Sequence, residues 1–217
     1  MDEELKKNIL KTGTSIVGIV CKDGIVLAGD RQATAGTIAI SKNEGKISEV
    51  NDYLIFAGTG TASDLVMLKK LVRAELRLKE LKSKQRPTVK EGANLIGMLA
   101  YNNIRQMSMI PFIAGTLVTG YNEDGTFELY TIEPAGSVLN VEDYDANFSS
   151  GMPFILGLLE RKYDKNLTVK EGVELAIDCI KAATQRDTGS GFGIDVYTIT
   201  KQGISHVVKQ KINPAYV

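Results

Sequence analysis

The sequence predicts an α+β fold, a four-layer αββα sandwich of two antiparallel sheets between two helix layers. Three observations carry this expectation. Strand-like segments are mostly separated by tight turns, which makes their pairing antiparallel. Helix-like segments fall into two pairs set apart by strands, so the helices belong outside and the sheets inside. The chain has 217 residues at 43% hydrophobic content, enough to bury a large core in one domain.

Taken in order, "TSIVGIVC" (14–21) alternates, "KDG" turns, and "IVLAGD" (25–30) runs apolar; "GKISEV" (45–50), "ND" and "YLIFAG" (53–58) repeat the scheme. Both stretches are predicted hairpins. From Thr61 the period changes to three and four, through Leu65, Leu68, Leu71, Val72, Leu76 and Leu78, as in an amphipathic helix that ends before "KSKQRP". The string "TVKEG" occurs at 88–92 and again at 168–172. In each copy Thr and the Glu three residues on match a capping box, so each opens a helix: "ANLIGMLAYNNIRQM" (93–107) and "VELAIDCIKAATQR" (173–186). Capping alone accounts for the repeat. Between them the pattern gives strands at "FIAGTLVTGY" and "FELYTIE" around the turn "NEDG", a strand at "SVLNVE", and a helix over 152–161. After "RDTGSGFG" come "IDVYTIT" and "ISHVVK", split by "KQG".

Composition removes several function classes. Lys plus Arg and Asp plus Glu both number 26, so no net positive field recruits nucleic acid or anionic membrane. No apolar run reaches the roughly 18 residues of a membrane span, and the leader "MDEELKKNIL" lacks the apolar stretch of a signal peptide, so a cytoplasmic location is expected. The sequons "NFS" and "NLT" matter only in a secreted chain. Cys21 and Cys179 lack metal or redox spacing and read as small buried hydrophobes. With His206 the sole histidine, a multi-histidine metal site is excluded, and neither metal nor cofactor is expected. His206 itself reads as a partly exposed strand residue. "YLIFAGTGTASD" imitates a dinucleotide-binding turn, but its third small position is Ser63, and no second strand ending in an acid follows the helix.

One feature asks for chemistry. In "KNILKTGTSIVGIV" (7–20) a polar leader gives way at Gly13-Thr14 to a strand. A threonine hydroxyl is a weak nucleophile that needs a base, and with one histidine in the chain a base is scarce. Cleavage just before Thr14 supplies one. The freed α-amine titrates at about 7.7–8.0, whereas an amide nitrogen takes no proton.

Five stretches in order then resemble the proteasome β subunit, a threonine peptidase of the N-terminal-nucleophile hydrolase fold: "TGTSIVGIVCKDGIVLAGDRQAT", "ISKNEGKI", "AGTGTASD", "SSGMPF" and "RDTGSG". The match spans essentially the whole chain after Gly13. The resemblance implies Thr14 as nucleophile and mature N-terminus, Asp30 as the strand-end carboxylate holding the active-site lysine Lys46, and Gly60 as the oxyanion-hole glycine. Ser150, Asp187 and Ser190 would orient the amine and a water. Residues 1–13 would be a propeptide removed by autolysis at Gly13-Thr14, leaving 14–217 as one peptidase domain. The implied assembly is archaeal in type: β subunits in a seven-membered ring, capped by α subunits, fed with unfolded proteins by an ATPase. By the same resemblance, Ala33, Ser48, Gly58, Ala62 and Val66 line the pocket for the residue preceding the scissile bond. Gly58 is expected to leave its floor open, and the small or apolar walls to favour Leu, Phe or Tyr.

Departures from the pattern keep rivals in view. Ser15 follows the nucleophile where a threonine or another small residue is usual, Gln32 stands where arginine is usual, and Phe192 replaces a commonly small or polar residue. "AGDRQAT" is similar to the bacterial ATP-dependent peptidase of six-membered rings, which lacks an "RDTGSG" equivalent. A non-catalytic ring subunit is a second rival, and a different N-terminal-nucleophile hydrolase acting on a small amide is a third.

Overall fold

Alternating apolar residues lay down both sheets. The computed structural model describes residues 13–108 and 111–212. One sheet has the order β10-β1-β2-β11-β12, built from β1 (Ile16–Cys21), β2 (Gly24–Asp30), β10 (Tyr144–Asp145), β11 (Gly193–Thr200) and β12 (Gly203–Lys211). The other has the order β5-β6-β7-β8-β9, from β5 (Ile47–Glu49), β6 (Leu54–Gly60), β7 (Ala114–Tyr121), β8 (Phe127–Ile132) and β9 (Val138–Val141). Every pairing is antiparallel.

The period of two along a strand sends its side chains to two different cores. In β2, Ile25 and Leu27 meet Ile55, Ala57, Leu117 and Leu129 of the facing sheet, which makes a dry layer between sheets. Val26 and Ala28 point the other way, onto Leu175, Ala176, Cys179 and Ile180. Those four lie on α4 (Val169–Thr184), which packs beside α3 (Met152–Lys162). Likewise Leu54 and Phe56 of β6 turn toward Leu68, Val72 and Leu76 on α1 (Ala62–Ser83) and Ala93 and Ile96 on α2 (Val89–Ile104). The layers therefore run helices, sheet, sheet, helices, as the sequence predicts. Each fully buried aliphatic side chain contributes roughly 1.5–3 kcal/mol, so strands buried on both faces are the most rigid support available for a site.

Both "TVKEG" copies form complete capping boxes: Thr88 with Glu91 and Thr168 with Glu171 exchange side-chain and backbone bonds in the same pattern. Cys21 and Cys179 are buried, and burial pushes each thiol up to about 12, so both stay protonated packing residues. His206 of β12 stacks on Tyr197 with ring centroids 4.1 Å apart.

The structure departs from expectation in detail. A separate hairpin, β3 (Ala33–Ala35) with β4 (Ile38–Ser41), turns at Gly36, whose φ of +62° suits glycine. It is short, and Ile38 and Ile40 are each 66% exposed, so its alternation marks no core. The two-residue β10 carries too little pattern to be read. Helices α2 and α4 stop at Ile104 and Thr184, before the expected ends at 107 and 186.

Candidate active site

The implied site residues sit where rigid elements begin or end. Ser15 alone separates Thr14 from β1; Asp30 closes β2, Lys46 precedes β5, Gly60 closes β6, and Ser150 comes two residues before α3. Asp187 and Ser190 belong to the connection from α4 to β11. The fold brings the ends of these elements together from both sheets.

A chain of hydroxyls and one carboxylate leads from Thr14 through Ser150 and Asp187 to Ser190. The Thr14 N–H donates to Ser150 Oγ at 2.9 Å. Asp187 Oδ2 accepts from Ser150 Oγ at 2.6 Å and from Ser190 Oγ at 2.5 Å. Ser190 Oγ lies 2.7 Å from Ser15 Oγ. The Gly189 N–H donates to Asp187 Oδ1 at 3.1 Å, which fixes the second carboxylate oxygen. Thr14 Oγ1 donates to the Gly13 carbonyl oxygen at 2.6 Å, so this hydroxyl and the peptide bond before it are adjacent.

Asp30 is fully buried. Its Oδ1 accepts from the Ser15 N–H at 3.0 Å, and its Oδ2 from the Gln32 and Gly191 N–H groups, both at 2.9 Å. Burial nevertheless pushes its carboxyl up to about 6, against the opposing pull of the Lys46 charge and those three donors. The same burial holds Lys46 below its usual range, with Asp30 and then Glu44 pulling it back up. The hydrogen bond of the Lys46 ammonium goes to the Gln32 carbonyl. Asp30 thus acts on Lys46 through charge, and a backbone carbonyl holds it.

Thr14, Lys46 and Gly60 line one cleft of about 540 Å³ together with Ala33, Ser48, Gly58, Ala62 and Val66. Gly60 is the residue this wall requires: its φ is +109°, and a Cβ there would meet the Ile113 carbonyl oxygen at 2.2 Å. The open floor at Gly58 needs correcting. A Cβ on Gly58 would meet Leu65 Cδ2 at 2.5 Å, because Leu65 reaches over from α1 and closes the floor itself. The cleft also extends past its small-residue end to Glu44, Lys69, Lys70 and Arg73, so it is not free of charge throughout. If the cleft takes the residue before a scissile bond, as the resemblance implies, Leu65→Ala is expected to deepen it and to raise kcat/KM for Phe or Tyr relative to Ala by about tenfold, the scale of a few methylene contacts. A fluorogenic peptide panel varying only the residue before the scissile bond measures this; an unchanged ratio moves the pocket elsewhere.

Four contributors were missed by sequence reasoning. Ser15 and Gln32 look like mere departures from a pattern, yet Ser15 bonds both Asp30 and Ser190, and Gln32 supplies the carbonyl for Lys46. The Gln32 side chain also donates to Thr34 Oγ1 at 2.8 Å and to the Thr188 carbonyl at 2.9 Å. Their position beside Thr14 and Asp30 was the available signal. Leu65 was legible only as a core residue of a helix. Gly189 gave no signal beyond its loop: a Cβ on Gly13 would meet its Cα at 2.1 Å, so the two backbones are in direct contact. Residues 1–12 of the expected propeptide lie outside the described residues.

The family model described as "Proteasome subunit" matches residues 10–199. The chain is 38% identical over 191 residues to the proteasome subunit beta of Nanoarchaeum equitans, covering 88% of this chain and 95% of that one. It is 38% identical over 200 residues to proteasome subunit beta 2 of Pyrococcus abyssi, covering 92% and 93%. To proteasome subunit beta 1 of Thermococcus kodakarensis it is 39% identical over 203 residues, covering 94% and 93%.

Proposed function

The chain belongs to the proteasome β-subunit family, and on that premise we propose that it is a catalytic member: a threonine endopeptidase that matures by cutting its own Gly13-Thr14 bond. The observation that carries this reading is the convergence on Thr14 of the Ser150, Asp187 and Ser190 chain, in a cleft shared with Lys46 and Gly60.

In the maturation step, Thr14 Oγ adds to the Gly13 carbonyl carbon, the C–N bond to Thr14 breaks, and the acyl group passes from nitrogen to oxygen as an ester. Water hydrolyses the ester, giving a Gly13 carboxylate and a free Thr14 amine. In the peptidase step the same oxygen adds to a substrate carbonyl, and its proton passes to the Thr14 amine directly or through a water. The Gly60 N–H stabilises the oxyanion, a contribution of roughly 3–4 kcal/mol in comparable sites. The amine returns the proton to the leaving nitrogen, and water releases the acyl-enzyme. Lys46 stabilises negative charge on Oγ, while Ser150, Asp187 and Ser190 orient the amine and the water.

By family, the proposed assembly is a proteasome core: a heptameric β ring capped by α subunits, fed through the α ring by an ATPase, acting on unfolded proteins in the cytoplasm. No helix among the described residues is long and apolar enough to cross a membrane. The rival reading, a structural ring subunit without activity, has no use for a buried Asp30 and Lys46 beside Thr14.

Mass spectrometry of the assembled particle tests the proposal. The chain is expected to begin at Thr14, and particles so processed to hydrolyse peptide amides. Gly13→Ala should slow processing severely, because its Cβ runs into Gly189 and the carbonyl must move away from Thr14 Oγ. Particles that are active with residues 1–13 attached, or Gly13→Ala chains that mature at the normal rate, overturn it.

A further inference from the structure

Lys46 is the charge the proposed chemistry depends on, yet it is reached through exposed chain. The connection from β4 to β5 passes through Lys42, Asn43, Glu44 and Gly45, all exposed, and β4 belongs to neither large sheet. Lys46 is anchored on its C-terminal side, where its carbonyl accepts from the Gly58 N–H at 3.0 Å and β5 follows, so what is left to fix is the approach from β4.

The ties converge on Arg31, which lies between Asp30 and Gln32. Its guanidinium is buried, with a side-chain exposure of 6%. One terminal nitrogen pairs with Asp195 of β11, itself 5% exposed, and the other donates to Asn43 Oδ1 at 2.5 Å. The Arg31 carbonyl accepts from the Glu44 N–H at 2.9 Å, and the Arg31 N–H donates to the Gly191 carbonyl at 3.1 Å. His206 Nε2 lies 3.1 Å from the same Asp195 oxygen, Oδ1, that pairs with Arg31. A further tie lies one residue earlier: the Lys42 ammonium sits 5.0 Å from the ring centroid of Phe192. Phe192 holds a φ of +59°, uncommon for a bulky side chain, and its carbonyl accepts from the Ile212 N–H at 3.0 Å. The segment leading to Lys46 is thus pinned through Asn43 and Glu44 to Arg31, just past β2 and itself paired with Asp195 of β11, and through Lys42 to Phe192 in the loop that also carries Asp187 and Ser190.

We propose that Arg31 and Asn43 are positioning residues that clamp the 42–45 connection and thereby hold Lys46 in the site, an inference that rests on the catalytic reading above. A buried arginine paired with an aspartate otherwise reads as a structural ion pair, worth little net stability against its apolar replacement. The Asn43 contact separates the two readings, since it adds nothing to the neutralisation of Asp195 but joins the guanidinium to the exposed connection. Asn43 is exposed, so its truncation removes no buried side chain and leaves the Arg31–Asp195 pair in place.

The test uses matured, assembled particles and peptide hydrolysis. Asn43→Ala is expected to lower kcat by about tenfold to a hundredfold, the range for a group displaced by an ångström, with KM unchanged because Asn43 does not itself line the cleft. Asn43→Asp, which keeps an oxygen acceptor for Arg31, should hold kcat within a few fold of wild type. A wild-type kcat in Asn43→Ala overturns the clamp, as does a loss that only tracks the amount of assembled particle. Thr14→Ala run in parallel keeps the two readings apart. If that variant still hydrolyses peptide, the catalytic proposal falls; if it is inactive while Asn43→Ala is normal, the clamp alone falls.

Discussion

Thr14→Ala is expected to reduce peptide hydrolysis to background and to leave residues 1–13 attached. On the proposed mechanism one hydroxyl serves both reactions. In the uncut chain it is hydrogen-bonded at 2.6 Å to the carbonyl of the bond to be broken, and after the cut it would be the nucleophile toward substrate. The fold should tolerate the change: Thr14 is 6% exposed, its hydroxyl bonds the adjacent carbonyl, and its N–H keeps the Ser150 bond whatever the side chain. Losing that single neutral hydrogen bond costs about 1 kcal/mol, against activity that depends wholly on the oxygen. Thr14→Ser retains the hydroxyl and should both mature and cleave. The readouts are the mass of the purified chain and hydrolysis by assembled particles. Maturation of Thr14→Ala in isolation would show that another group attacks the Gly13 carbonyl.

Much of this architecture can be read from the residues, and what escapes does so for physical reasons. Strands such as 14–21 and 25–30 announce themselves because burial of their faces enforces apolar residues, and the paired capping boxes announce two helices because an unpaired N–H has few remedies. The β3–β4 hairpin and β10 escape because they bury little. Lys46 and Asp30 are individually ordinary in sequence, and it is the order of five motifs that singles them out. Contacts made through backbone atoms leave no such trace. Nothing in "DRQ" tells that the Gln32 carbonyl, and not a carboxylate, takes the Lys46 hydrogen bond. The part Leu65 plays escapes for a related reason: helical spacing identifies a packing residue but not the gap it fills, here the one left by Gly58 on β6.

Lys46→Ala and Asp30→Asn are each expected to lower turnover at least about a hundredfold in particles that still assemble. In the proposed mechanism Lys46 supplies the positive charge beside Thr14, and its charge and the Asp30 carboxyl act on each other, so the loss of either should tell on the other. Asn at position 30 offers one accepting oxygen where three N–H groups now converge on two, so its amide NH2 must face a donor. Stability against pH gives an independent reading of the pair. The Asp30 carboxyl is raised from 3.8 to about 6 in the fold, chiefly by burial, so the folded state favours the protonated form. Its contribution is greatest below 3.8, falls by roughly 3 kcal/mol as pH rises through 6, and is flat above. Lys46 opposes that rise, so Lys46→Ala moves the carboxyl higher and extends the fall to higher pH. Thermal unfolding of Lys46→Ala against wild type is thus expected to show a deficit that grows from pH 6 to pH 8. A deficit that shrinks over that interval, with near-normal hydrolysis in assembled Lys46→Ala particles, would make Lys46 an ordinary residue at the edge of β5 and leave the Thr14 hydroxyl to be activated by its amine alone.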